Sequence, residues 1–164
     1  MTEAFTFFWD GPFSQWYPCT FRLEGVNYNC AEQYMMAEKA RYFADEEALT
    51  AILRTSHPRE QKEIGRSIRG FETSEWEHLE GNEHPFCWNV VYRGNVAKFS
   101  QNQKLLSKLQ TTQGTTLVEA SPVDSIWGIG LASDDPRAYD RSSWQGRNWL
   151  GEVLTAVRDE LSPC

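Results

Sequence analysis

The chain has 164 residues, 40% hydrophobic and 24% charged, with a formal net charge of −7 and a pI near 5.0. That length fits one domain able to bury about two-thirds of its unfolded surface, and no apolar run approaches the roughly 18 residues of a membrane span. The acidic balance opposes non-specific attraction to polyanions, because backbone-driven DNA or RNA binding needs a basic face.

The opening "MTEAFTFFWDGPF" has no basic segment ahead of an apolar core, so it does not read as a secretion signal and a cytoplasmic setting is expected. Residues 5 to 9 and 20 to 28 cluster aromatic and β-branched side chains around the Gly- and Pro-punctuated "DGPFSQWYP", which predicts two short strands and a turn. "NYNCAEQYMMAEKARYF" (27 to 43) predicts an amphipathic helix over about 30 to 43. Asn29 stands as its cap, and Glu32, three residues on, falls where a capping box wants a carboxylate. Further helices are predicted over about 45 to 54, behind the acidic "DEE", and from Pro58, which suits a first helical turn. A long helical stretch is predicted from about 86 to 110, with turn chemistry at Gly114. The strand "TTLVEAS" follows, then "SPVDSIWGIGL", the polar loop "ASDDPRAYDRSSWQG" and a last helix from about 144 to 160. The expected fold is a single α+β domain over 1–164, dominated by helices, with one small sheet.

Cys19, Cys30, Cys87 and Cys164 show no paired CxxC spacing, which argues against a zinc site or a disulfide framework and predicts reduced, mostly buried thiols. There is no HExxH, no clustered His and no strand–GxGxxG–helix unit, so no metal and no cofactor are expected. The 13% aromatic content is high. It serves a core or the faces that hold planar ligands such as bases.

Seven residues on a helix turn through about 700°, so Glu32 and Lys39 project within roughly 20° of each other, some ~10 Å apart along the axis. A charged pair on an apolar stripe sits at a solvent-lined edge or in a polar cavity. Glu32 as a cap and Lys39 as a snorkelling surface residue satisfy the same pattern. Lys62, Arg66 and Arg69 recur at helical spacing as a basic stripe, which is either a solvated face or, in an acidic protein, the address of an anion.

The motifs "AEQYMMAEKA" (31 to 40), "KEIGRSIRGF" (62 to 71), "YRGNVAKFSQN" (92 to 102), "TTLVEASPVDSIWGIGL" (115 to 131) and "WQGRNWLGEVLTAVR" (144 to 158) together resemble the NADAR (NAD- and ADP-ribose-related), or YbiA-like, family. They span nearly the whole chain in family order. The segment from 72 to 90 fits less well, and "FWDGPFSQWYP" fits only as an aromatic-Pro-Phe-Ser pattern. The resemblance implies a single, mainly helical α+β domain that hydrolyses an N-glycosidic bond to ribose. Its implied substrates are a ribosylaminopyrimidine phosphate of early riboflavin synthesis or ADP-ribose attached to guanine. Nucleic acid then enters only as a modified substrate, and no membrane is involved.

Cleaving a C1′–N bond builds oxocarbenium character on the ribose, which a nearby carboxylate stabilises. Glu32, Asp134 and Asp135 are the carboxylates available in these motifs or the long loop, and Glu32 and Asp134 are the catalytic candidates. Lys39 is the candidate for a second route, in which an amine captures C1′ as a Schiff base once desolvation lowers its pKa. Substrate-binding candidates are Trp9, Phe13, Tyr34, Lys62, Arg66, Trp127, Gly128 and Asn148. Lys62 and Arg66 suit a phosphate, and Trp127 offers either a stacking face or an ordinary core indole. Arg147 and Asn148 equally read as decoration of the helix surface. A non-catalytic ADP-ribose-binding module is the rival reading, one that needs Arg66 and Trp127 but not Glu32 or Lys39.

Overall fold

The computed structural model describes residues 2–81 and 83–163, so Cys164 lies outside the described residues. In chain order the elements are β1 (Phe5–Phe8), β2 (Phe21–Leu23), β3 (Val26–Tyr28), α1 (Ala31–Tyr42), α2 (Glu46–Arg54), α3 (Pro58–Arg66), α4 (Thr73–Trp76), β4 (Leu79–Glu80), β5 (His84–Pro85), α5 (Phe86–Ser100), α6 (Gln103–Gln110), β6 (Thr116–Glu119) and α7 (Trp149–Leu161). The fold is α+β and mainly helical. Among the described residues the strands form three two-stranded pairs in place of the one small sheet expected. No helix among them is long and apolar enough to cross a membrane. The chain divides into two compact units, Gln15–Asn102 and the combination of Met1–Ser14 with Gln103–Cys164.

In the Gln15–Asn102 unit, the segment predicted as one strand over 20 to 28 is a hairpin. β2 and β3 pair antiparallel, Phe21 opposite Tyr28, through Glu24 and Gly25 at φ 50° and 82°. Two successive left-handed residues give the tight turn whose twist matches the flanking strands. α1 packs against α2, α3 and α5, and every residue from Ala31 to Ala37 is buried, so this helix is enclosed nearly all round instead of amphipathic.

The predicted capping box at α1 does not form. Cys30 is the N-cap and makes no side-chain cap bond. Gln33, one residue past Glu32, reaches back instead: its Oε1 accepts the Asn29 N–H at 2.8 Å while its Nε2 donates to the Ile52 carbonyl at 3.1 Å. Asn29 in turn donates to the Thr55 carbonyl and accepts from Gln61. At α2 the cap is Asp45, whose carboxylate accepts the Ala48 N–H at 3.1 Å. Pro58 occupies the first turn of α3.

The long helix predicted over 86 to 110 is two helices. α5 stops at Ser100, and Asn102 donates from Nδ2 to the Lys98 carbonyl at 2.7 Å and the Thr20 carbonyl at 3.0 Å. That amide satisfies a carbonyl the helix end leaves open and ties it to the approach of β2.

In the other unit β1 pairs parallel with β6, Phe5 opposite Thr116 and Phe8 opposite Glu119, and α7 packs on β6. Val118, Ile129, Leu131 and Ala138 form a core against which Phe5, Phe7 and Trp144 pack. The polar loop is ordered into two 3-10 turns, Pro136–Tyr139 and Arg141–Ser143, because Asp135 and Asp140 accept the Arg137 and Ser142 N–H groups. α7 starts at Trp149, not at 144. Asn148 just before it is left-handed at φ 55°, and the backbone at Gly146 passes so close to Gly128 that a Cβ would lie 2.3 Å from its carbonyl oxygen.

Candidate active site

Lys39 lies in the last turns of α1. Its Nζ donates to the Gly65 carbonyl at 2.8 Å and sits over the Phe71 ring, 4.1 Å from the centroid. Gly65 is in the final turn of α3, where carbonyls lack intrahelical partners. A Cβ at Gly65 would lie 2.0 Å from Met36 Sδ, so the absent side chain is what lets α3 close on α1 and present that carbonyl. Burial holds the Lys39 amine below the ordinary lysine pKa; the Glu32 charge opposes this, Arg66 reinforces it and Cys87 opposes it.

Glu32 is only 7% exposed, in the first turn of the same helix, and its N–H donates to the Gln15 carbonyl at 2.9 Å. A buried carboxylate and a half-buried amine thus act on each other along one helix, as the seven-residue spacing predicts. Beneath the start of α1 lies a pair of amides that the sequence reading missed. Asn95 donates to Gln15 Oε1 and to the Val91 carbonyl, both at 2.9 Å. Gln15 Nε2 and Asn95 Oδ1 remain buried with no hydrogen-bond partner among the described residues. Both stand in segments already singled out, "FSQWYP" and "YRGNVAKFSQN", but periodicity carries no signal for a buried amide.

Lys98, from the same segment, was also missed. It is fully buried, and burial pulls its amine down to about 8 while Cys19 and Cys30 pull the other way. Tyr34, a substrate-binding candidate, lies in the core. It is 2% exposed, packed edge-on to Tyr28 and Phe21 at 5.1 and 6.3 Å.

The basic stripe keeps two of its three members. Lys62 and Arg66 lie one turn apart on α3, and the Lys62 ammonium is 5.9 Å from the Trp16 ring centroid. Arg69 lies beyond the end of α3: its N–H and guanidinium both bind the Asp45 carboxylate, at 2.9 and 3.0 Å. Those bonds hold Asp45 well below the usual carboxylate range.

The remaining candidates belong to the other unit. Trp9 is exposed, and Phe13 packs edge-on to Phe8 at 5.7 Å. Trp127 is half-buried and edge-on to Trp149 at 5.6 Å, its backbone N–H donating to Asp124 Oδ1. Gly128 is buried, and a Cβ there would lie 2.9 Å from the Glu119 carbonyl oxygen, so close backbone approach requires glycine. Asn148, read as a binding candidate or as decoration of the helix surface, is not on the surface. It is fully buried, with Oδ1 accepting the Glu119 N–H and Nδ2 donating to the Leu117 carbonyl, which spends its amide on the edge of β6. Asp134 is exposed in the loop, beside Asp135, which pairs with Arg137.

Comparison with known proteins agrees with this architecture. A mimivirus protein from Acanthamoeba polyphaga mimivirus, N-glycosidase R617, is 41% identical over 153 residues, covering 90% of this chain and 86% of its own. Protein irg-1 of Caenorhabditis elegans is 38% identical over 176 residues, covering 98% and 81%. The NMR structure of the E. coli protein YbiA superposes with a TM-score of 0.73 at 26% identity, over 98% of this chain and 86% of that one. The family model described as the NADAR domain matches residues 7–162, across both units, and the chain belongs to the NADAR family.

Proposed function

We propose that this chain is an N-glycosidase that hydrolyses the C1′–N bond between a ribose and its base. The observation that carries the reading is the half-buried Lys39 amine, held below its ordinary pKa on the helix that also bears the buried Glu32. The name and 41% identity of the mimivirus N-glycosidase support it.

As the bond to the base stretches, positive charge grows at C1′, and a carboxylate in a desolvated site stabilises it. Glu32 takes that role. Lys39 supplies the covalent step: its neutral amine forms a C1′=N imine and gives up two protons, one to the ring oxygen as the C1′–O4′ bond opens and one to the base nitrogen as the C1′–N bond to the base breaks. Water then hydrolyses the imine, returning the sugar and the free amine. Arg66, whose charge reaches Lys39, and Lys62 one turn away hold a phosphate of the substrate.

Two substrates fit this chemistry, a ribosylaminopyrimidine phosphate of riboflavin synthesis and ADP-ribosylated guanine. The net charge of −7 favours the small metabolite over a long polyanion. Cys19 and Cys30 are free thiols, which suits the reducing cytoplasm as the setting.

Incubating the protein with each substrate in parallel and identifying the freed base by mass spectrometry tests the proposal. Release of a base from one of the two is the expected result. Saturable binding of ADP-ribose with no base released from either would leave a non-catalytic nucleotide-binding module.

A further inference from the structure

The segment after α3 is built as an anchored strap. Asp45 caps α2 through the Ala48 N–H and uses the same carboxylate to hold both the backbone N–H and the guanidinium of Arg69. Gly70 follows at φ 77°, a left-handed conformation that glycine adopts without a Cβ penalty and that turns the chain. Phe71 comes next. Its ring lies on the Lys39 ammonium at 4.1 Å and meets Phe43 edge-on at 5.3 Å. The ring is 36% exposed, so it touches the amine and also meets solvent.

From this geometry we propose that Phe71 is a positioning residue for the Lys39 chemistry: a water-excluding cover, seated by the Asp45–Arg69–Gly70 strap, that keeps the amine desolvated for attack. The inference rests on the N-glycosidase reading above and gives Arg69, the displaced member of the basic stripe, a place in it.

Two effects of the ring oppose each other. Its face attracts an ammonium, while its bulk removes water from one. The other groups that face the amine are Glu32 on α1, Arg66 on α3 and Cys87 on α5. The substitution by leucine separates the two effects, because leucine keeps an apolar cover and lacks a π face.

The experiment titrates the Lys39 amine in the full chain by NMR after reductive ¹³C-methylation, the resonance being assigned by its loss in Lys39→Arg. If Phe71 is the cover, Phe71→Ala moves the Lys39 titration to higher pH and Phe71→Leu leaves it near the parent. In parallel, kcat/KM at neutral pH falls about tenfold in the alanine variant and stays within about twofold in the leucine variant. An unchanged or lowered titration in Phe71→Ala, or an equal rise in Phe71→Leu, overturns the cover. The NMR readout needs no turnover, so it stands even where the base-release assay fails, and full activity in Lys39→Arg would sink the Lys39 chemistry while leaving the cover measurable.

Discussion

Seven residues apart on α1, Glu32 and Lys39 were legible as a pair from helical geometry alone, but their burial was not, because it depends on α3 and α5 closing over them. The capping role that competed for Glu32 belongs to its neighbour Gln33, and a one-residue difference of that kind is beyond pattern reading. Glu32→Gln is therefore expected to leave the melting temperature near that of the parent and to lower kcat at least ~100-fold, since the amide cannot stabilise growing positive charge. Initial rates alongside thermal melts check it; a rate within a few-fold of the parent would remove Glu32 from the mechanism. Gln33→Ala has the opposite signature. It strips buried hydrogen bonds from the start of α1 and costs about 1–3 kcal/mol in urea unfolding. Arg66→Ala is expected to raise KM more than it lowers kcat, because a remote phosphate is held equally in ground and transition states. Lys98 gives a pH signature. Its folded pKa of about 8 lies below its ordinary 10.5, so the unfolded chain binds more protons between those values and stability rises with pH across that window. Below it the cost of the buried ammonium is fully present. Urea midpoints of the parent should climb from pH 8 upward relative to Lys98→Met, and parallel curves would contradict the shift.

The helices α1, α2 and α3 follow from periodicity, the acidic start at Asp45 and Pro58, all local signals. What the sequence could not convey at the scale of elements was non-local. The parallel pairing of β1 with β6 joins residues more than a hundred positions apart, and no local pattern specifies it. The break between α5 and α6 depends on one side chain, Asn102, reaching the carbonyls of Lys98 and Thr20. The contact that matters most for the site is α1 on α3. Gly65→Ala is expected to cost about 1–3 kcal/mol through the clash with Met36, and to lower kcat as well, because the Gly65 carbonyl that holds Lys39 moves with the helix. Combined with Met36→Ala, its stability cost should be smaller than the sum of the two single changes, a coupling that a double-mutant cycle in urea reads directly. Strict additivity would mean that α3 is held off α1 by something else.

At the scale of the whole molecule, the family model runs across both compact units, and we propose that the chain unfolds as one cooperative domain. Trp16, Trp76 and Trp88 report on one unit and Trp127, Trp144 and Trp149 on the other. Fluorescence and far-ultraviolet circular dichroism should therefore give superimposable urea transitions, and two separated transitions would refute single-domain behaviour. The central claim, that Lys39 is the amine that takes the ribose from its base, is tested most directly by trapping. Borohydride added during turnover of the phosphorylated ribosylamine or of ADP-ribosylated guanosine reduces an imine to a stable secondary amine. A reduced sugar adduct, mapped by peptide mass spectrometry to Lys39, is expected in the parent and absent in Lys39→Arg, which keeps the charge but cannot form the imine. Continued turnover with no adduct, together with an active Lys39→Arg variant, would contradict it.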